Sequence, residues 1–182
     1  MPVSNAQDCT IRPCHEPDMP AIAGIYAHHV LHGFASFETE PPSLAEMIRR
    51  RADIAAKGLP YLVAERGGII LGYAYAGTYR PRAAYRDTVE NSIYLRHDTA
   101  GQGIGGHLLP ALVAACEACD LRQMIAVIGD SGNEASIRLH QRCGFRLVGI
   151  LEAVGYKHGR WLDSVLMQRH LGRGDTAPPP ER

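Results

Sequence analysis

A strand that passes into a helix through glycines constrains this chain more than any other stretch. Residues 88–95, T-V-E-N-S-I-Y-L, read as a strand, and T-A-G-Q-G-I-G-G-H-L-L (99–109) leads into a helix spanning Gly103 to Asp120, with Ile104, Leu108, Leu112, Ala115 and Cys119 on one face. Such a junction puts unpaired backbone N–H groups and the positive end of a helix dipole at one point, which suits a diphosphate. Two kinds of loop meet that description. Gly101, Gly103 and Gly106 satisfy the G-x-G-x-x-G spacing of dinucleotide folds, whereas Gly103-Ile104-Gly105 is the glycine core of a different pyrophosphate loop. In a dinucleotide fold the first glycine follows the strand almost at once, but here Arg96 to Ala100 intervene. The ribose-binding acid, expected about twenty residues further on, has only Asp130 as a candidate, 24 residues past Gly106. One helix and two strands then remain, too little for the second half of a dinucleotide fold.

The rest of the chain predicts the layers around this junction. Thr10-Ile11-Arg12 is a short strand, and Asp18 is expected to cap a helix carrying Ile22, Ile25, Tyr26 and Val30 at helical spacing. Ser43-Leu44-Ala45-Glu46 opens a second helix that Gly58 ends. Tyr61–Glu65 and Ile69–Tyr75 flank Arg66-Gly67-Gly68, a tight hairpin. Beyond the glycine loop come a strand Met124–Ile128, a helix Glu134–Arg142 capped by Asn133 and ended by Gly144, and strands Phe145–Leu151 and Trp161–Gln168. This order predicts a single α/β domain over residues 10–171, with a mostly antiparallel mixed sheet flanked by helices. Residues 1–9 are expected to be flexible, and the tail from Gly172, G-R-G-D-T-A-P-P-P-E-R, to be disordered.

Composition excludes several functions. At 182 residues the chain holds one core, and its 19 basic and 19 acidic residues cancel, leaving no field to attract nucleic acid or an anionic membrane. A small molecule is the expected partner. No run of 18 apolar residues occurs, and M-P-V-S-N-A-Q-D lacks the features of a signal peptide, so a cytoplasmic protein is expected. Cys116-x-x-Cys119 falls inside a helical pattern without the turn of a zinc knuckle, and His28 and His32 lack the Glu of H-E-x-x-H, so no metal is expected.

Further stretches, taken in order, resemble the GNAT N-acetyltransferases, and within that family the phosphinothricin and methionine sulfoximine/sulfone acetyltransferases. They are Ser36-Phe37-Glu38-Thr39-Glu40-Pro41, Gly72-Tyr73-Ala74-Tyr75-Ala76-Gly77, Arg80-x-Arg82-x-x-Tyr85, Thr88-Val89-Glu90, Ala126-Val127-Ile128-Gly129, Asn133-Glu134-Ala135-Ser136 with Leu139-His140, and Gly155-Tyr156-Lys157-His158-Gly159-Arg160-Trp161. The resemblance implies acetyl-CoA as cosubstrate, a small amino-acid analogue as acceptor and a homodimer. It assigns the pyrophosphate to the loop Gly101, Gln102, Gly103, Ile104, Gly105 and Gly106, with Asn133 and Ser136 in a second coenzyme segment. The family's Gln or Arg at the head of the loop is replaced by Ala100.

Chemistry supplies roles for the remaining residues. An α-ammonium has a pKa near 8 and must lose a proton before attacking a thioester. Glu90, a charge at a strand centre, is either an outward-facing carboxylate or a base, and the resemblance makes it the general base. Backbone N–H groups of Ile93, Tyr94 and Leu95 are candidate oxyanion donors, because the resemblance implies that this strand aligns with the pantetheine and the thioester. His140 stands where many relatives place a Tyr, and either protonates the leaving sulfur or hydrogen-bonds near it. Arg80, Arg82 and Tyr85 are expected to hold the substrate's oxyanions, with Phe37 as a wall of its pocket. The alternative functions are a protein or peptide N-terminal acetyltransferase and a noncatalytic acyl-CoA sensor.

Overall fold

In the computed structural model the structure describes residues 9–179. The flexible N-terminus expected for residues 1–9 therefore lies outside the described residues except for Cys9, as does the tail beyond Pro179. Eleven main elements follow in order: β1 (Thr10–Pro13), α1 (Met19–His32), α2 (Leu44–Ala56), β2 (Tyr61–Arg66), β3 (Ile69–Thr78), β4 (Thr88–Leu95), α3 (Ile104–Ala118), β5 (Gln123–Gly129), α4 (Glu134–Arg142), β6 (Arg146–Lys157) and β7 (Arg160–His170). One seven-stranded sheet runs β1-β2-β3-β4-β5-β7-β6. Every pairing is antiparallel except β4 with β5.

Local chemistry accounts for most element ends. Gly67 and Gly68 both have positive φ, the condition for a two-residue turn that matches the twist of β2 and β3. The Ser43 hydroxyl accepts the Glu46 N–H and Asn133 Oδ1 accepts the Ser136 N–H, so α2 and α4 begin where their caps predict. Gly103, at φ 77°, turns the chain into α3. Pro110 interrupts neither the path nor the burial of α3, because Pro110 and the Gly106 carbonyl that it leaves without a helical donor both lie on the exposed side.

Two expectations are corrected. Asp18 does not cap α1: its carboxylate takes both terminal nitrogens of Arg12 at 2.8 Å and the His15 N–H at 2.7 Å, closing the short turn before the helix. The Arg12 guanidinium holds this carboxyl below its ordinary range. Strand β6 runs to Lys157 rather than stopping at Leu151, because residues 152–154 bulge out opposite Asp163, whose Oδ1 accepts the Ala153 N–H. The bulge hides the alternation on which a sequence-based boundary depends. In the segment after β7, residues 172–175 form turns, with the Gly174 N–H on the Leu171 carbonyl, and Arg122 donates to the Pro178 carbonyl.

The core lies on both faces of the sheet. On one face α3 buries Ile104, Leu108, Leu109 and Leu112 against Ala74, Val89, Met124 and Ala126. On the other, α1 and α2 bury Ile22, Tyr26, Val30 and Met47 against Val63 and Tyr73. Alternation along β4 therefore sends Val89, Asn91, Ile93 and Leu95 toward α3, and Glu90, Ser92 and Tyr94 toward α1.

The segment after α1 crosses the end of β5 at very close range. A Cβ on Gly129 would lie 2.4 Å from the Phe34 carbonyl and 3.1 Å from the Phe37 ring, and one on Gly155 would lie 2.4 Å from the same ring. Gly129→Ala should therefore push the 34–37 segment off the sheet, and overpacking of this kind costs about 1–3 kcal/mol. Chemical denaturation would measure it. A variant as stable as the parent would mean that the segment is loosely held.

Candidate active site

Strands β4 and β5 pair only from Thr88↔Gln123 to Asn91↔Ala126. Beyond that point β4 keeps its partner β3 as far as Leu95, and β5 keeps β7 as far as Gly129. Each strand thus has one paired edge and one edge facing a gap. The gap opens a cleft of about 290 Å³, lined by Asn91 to Leu95 from β4, Ala126 to Gly129 from β5, Asn133, Ser136 and His140 from the α4 region, and His29 from α1. Bare strand edges are templates for hydrogen bonding by an extended chain of amides.

Several residues singled out in the sequence meet here. Ile93, Tyr94, Leu95, Asn133, Ser136 and His140 all line the cleft. The glycine loop follows the end of β4 after a short turn at His97–Thr99. Within it the N–H groups of Gln102 and Gly106 are taken by the Thr99 and Gly103 carbonyls, so these two are not open donors. The first-turn N–H groups of Ile104 and Gly105 have no partner within the helix, and they lie at the positive end of the α3 dipole. Gly101 and Gly103 supply the positive φ of the loop. Gly105 permits a close approach, since a Cβ there would lie 3.0 Å from Leu139 of α4. The Gln102 side chain accepts from Arg66 at 3.0 Å, tying the loop to the end of β2.

Glu90 does not itself line the cleft: it precedes the lining residue Asn91 on β4, two residues before the β4 edge becomes bare, and it points to the α1 face. Its carboxylate has no hydrogen-bond or ion-pair partner among the described residues, and burial raises its pKa above the ordinary range. The neighbouring Tyr75 hydroxyl is shifted upward by burial and, in smaller part, by the negative charge of Glu90. An unpaired, partly desolvated carboxylate is a proton acceptor closer to neutrality than a solvated one.

His140 is 2% exposed. Its Nδ1 is 2.8 Å from the Ser136 carbonyl and its Nε2 is 3.0 Å from the Asn91 Nδ2. A carbonyl only accepts, so Nδ1 carries the hydrogen, and burial keeps the ring neutral by lowering its pKa. Nε2 then presents a lone pair to Asn91 and has no proton to give.

Phe37 packs over Gly129 and Gly155 at the outer end of β5, and Ala35 of the same segment lines the cleft. The segment is anchored from three sides. Tyr26 Oη lies 2.9 Å from the Ser36 hydroxyl, Lys157 Nζ donates to the Ser36 carbonyl at 2.7 Å, and Glu38 receives Arg50 at 2.6 Å and Tyr26 at 3.0 Å. Arg80, Arg82 and Tyr85 do not line the cleft. They sit in the loop between β3 and β4, where Arg80 stacks on Tyr79 and Tyr85 at 5.2 and 5.9 Å, and Arg80 and Arg82 border a separate hollow with Lys57 and Leu59.

The cleft also uses residues that sequence reasoning missed. His29 Nε2 donates to the Leu95 carbonyl at 2.7 Å and fixes the end of β4, but nothing in Y-A-H-H-V separates it from its neighbour His28. Asn91 had a readable signal, because an Asn inside a central strand goes against β propensity.

Comparison with known proteins agrees with this geometry. Residues 11–166 match the Acetyltransferase (GNAT) domain. The phosphinothricin N-acetyltransferase of Alcaligenes faecalis is 57% identical over 94% of this chain and 87% of its own length. The L-methionine sulfoximine/L-methionine sulfone acetyltransferase of Pseudomonas aeruginosa is 42% identical over 93% of this chain and 98% of its own. A phosphinothricin acetyltransferase from Sinorhizobium meliloti, solved in complex with AcCoA, superposes with a TM-score of 0.92 at 47% identity, covering 96% of this chain and 94% of that one. With the splayed parallel strands, the glycine-nucleated helix and these relatives in agreement, the chain belongs to the GNAT family of acetyltransferases.

Proposed function

We infer that the protein moves an acetyl group from acetyl-CoA to the α-amine of a small amino-acid analogue of the phosphinothricin or methionine sulfoximine kind, with Glu90 as general base. The observation that carries this reading is the parting of β4 from β5, which opens a cleft that begins one residue past the unpaired Glu90 and has the N-terminus of α3 beyond its outer end. The site fits the coenzyme chemically. The bare strand edges suit the amides of a pantetheine arm, and the first-turn N–H groups of Ile104 and Gly105, with the loop of Gly101 and Gly103, suit its diphosphate. Arg66, drawn to the loop through Gln102, brings positive charge close to the position where Ala100 provides none.

Bond changes follow from the placement of these groups. Glu90 accepts a proton from the substrate ammonium, and the freed nitrogen forms a C–N bond at the thioester carbonyl. Backbone N–H groups on the free edge of β4, among Ile93, Tyr94 and Leu95, oppose the negative charge that develops on oxygen. When the C–S bond breaks, its electron pair stays on sulfur, the new amide nitrogen sheds its surplus proton to solvent, and the thiolate takes a proton from solvent, because His140 is held neutral with its only N–H on Ser136. The pairing Gly77↔Glu90 sets the arginine loop at the Glu90 end of β4, opposite the glycine loop. Arg80 and Arg82 are therefore proposed to receive the substrate's carboxylate and phosphinate or sulfoximine oxygens.

Thiol release from acetyl-CoA with a panel of amines tests the reading. Methionine sulfone, methionine sulfoximine and phosphinothricin should turn over, and analogues lacking the carboxylate should turn over poorly. Because burial raises the Glu90 pKa, its basic form is lost on acidification earlier than for a solvated carboxylate. The rate should therefore fall as pH drops through a pKa above the ordinary glutamate range near 4.3. Glu90→Gln should reduce turnover by about 10²-fold or more and abolish that limb. Near-normal activity in this variant would contradict the assignment.

The homodimer also belongs to the proposal. Outer strand β6 and its neighbour β7 expose Leu147, Val148, Ile150, Leu151, Val154 and Trp161, each 47% exposed or more, a run that an edge strand rarely leaves uncovered. Sedimentation equilibrium should give twice the chain mass. A monomer at micromolar concentration would contradict the pairing.

A further inference from the structure

Asn91 is the last β4 residue paired to β5, is 5% exposed, and lines the cleft. Its two amide atoms have unequal surroundings. Nδ2 meets His140 Nε2 at 3.0 Å, while Oδ1 is buried without a hydrogen-bond partner among the described residues. The imbalance has a cause that can be traced outward. The Ser136 carbonyl can only accept, so it fixes the hydrogen of His140 on Nδ1. The bare Nε2 can then only accept, so it draws the NH₂ of Asn91 toward itself. The carbonyl of Asn91 is thereby the amide atom turned away from His140, on a side chain that lines the cleft.

A buried carbonyl without a donor is costly and rare in folded proteins. An N–H from a ligand removes that cost. The face of the sheet identifies which ligand supplies it. Glu90 and Asn91 are consecutive in one strand and point to opposite faces, Glu90 toward α1 and Asn91 toward α3 and α4. The amine that Glu90 deprotonates approaches from the α1 side. The donor that meets Asn91 therefore belongs to the acyl carrier lying between the strands, whose arm is built from secondary amides.

We propose that Asn91 Oδ1 accepts an amide N–H of the acyl-CoA arm, and that His140 is a positioning residue that sets the direction of the Asn91 amide rather than the acid that protonates the leaving sulfur. The proposal rests on the reading of the cleft as an acyl-CoA site. It adds a contact that discriminates the carrier, not the amine.

Calorimetric titration with CoA, together with steady-state kinetics, tests it. Asn91→Leu should raise the Kd for CoA and the KM for acetyl-CoA about ten-fold, the scale of one buried hydrogen bond, with the KM for the amine unchanged. His140→Leu should produce the same shift, and His140→Gln, whose side-chain carbonyl still accepts from Asn91, should restore binding to within about three-fold of the parent, since its acceptor is retained. Unchanged CoA affinity in Asn91→Leu, or a rise in the amine KM instead, would overturn the proposal. A loss of kcat in His140→Gln with CoA affinity intact would mark His140 as the acid and also overturn it. The ¹⁵N shifts of the His140 imidazole in the unsubstituted protein should report the Nδ1–H tautomer at neutral pH, a readout independent of how any variant folds, and an Nε2–H tautomer would contradict the arrangement. If the parent protein does not bind CoA, the reading of the cleft fails. If the parent binds and Asn91→Leu binds equally well, only the Asn91 inference fails.

Discussion

The structure depends on a pairing that stops. Parallel strands β4 and β5 are joined for four residue pairs and then separate, while each stays hydrogen-bonded to its outer neighbour. Strand edges inside a sheet are normally satisfied, so an opening at the centre of the sheet is stable only where both flanks are secured independently. Here β3 and β7 secure them, His29 holds the Leu95 carbonyl from α1, and Gly72 lets Leu95 lie where a Cβ would come within 2.5 Å of its side chain. The glycine loop, the cap of α4 and Glu90 draw their relevance from their places around this opening.

The outer rim is held differently, by polar contacts rather than by apolar packing. The segment from Phe34 to Glu38 crosses the mouth of the cleft on a network of Tyr26, Ser36, Lys157, Glu38 and Arg50, with Phe37 seated over two glycines. Lys157 is 3% exposed, and burial lowers its pKa, an effect that the nearby Glu38 carboxylate partly offsets. Arg160 adds a cation–π contact over Phe34 at 4.1 Å and a pairing with Asp130. The β6–β7 hairpin and the segment after α1 thus close the same end of the site from two distant parts of the chain, which explains why both belong to the resemblance.

Much of this was legible before any coordinates. The bounds of β4 and α4 match the sequence reading to the residue, the helix because Asn133 and Gly144 bracket it. Strand β6 was misread because residues 152–154 bulge, and a bulge erases the period of two. Asp18 was misread because a cap and an ion-pair acceptor look alike in sequence, and the choice depended on Arg12 reaching back from β1. Around the cleft, the positions of the glycine loop and Glu90 stood out because clustered glycines at a helix start and a carboxylate inside a strand are unusual residues in unusual places. His29 and the anchoring of Ser36 did not, since each acts through a partner 66 or 121 residues away, and although an Asn inside a central strand is a signal, what Asn91 does depends on His140, 49 residues away. The arginine loop remains the part of the proposed site furthest from the cleft, and its side chains contact Tyr79, Tyr85 and a hollow beside Lys57.

The central claim is that the opening between β4 and β5 accepts an acyl-CoA arm with its diphosphate at the start of α3, and not a dinucleotide laid across a crevice. Parallel calorimetric titrations of the unmodified protein with acetyl-CoA, NAD and NADP test this most directly. Saturable binding of acetyl-CoA with no heat from the other two is the predicted result. Binding of NAD or NADP without acetyl-CoA would contradict it.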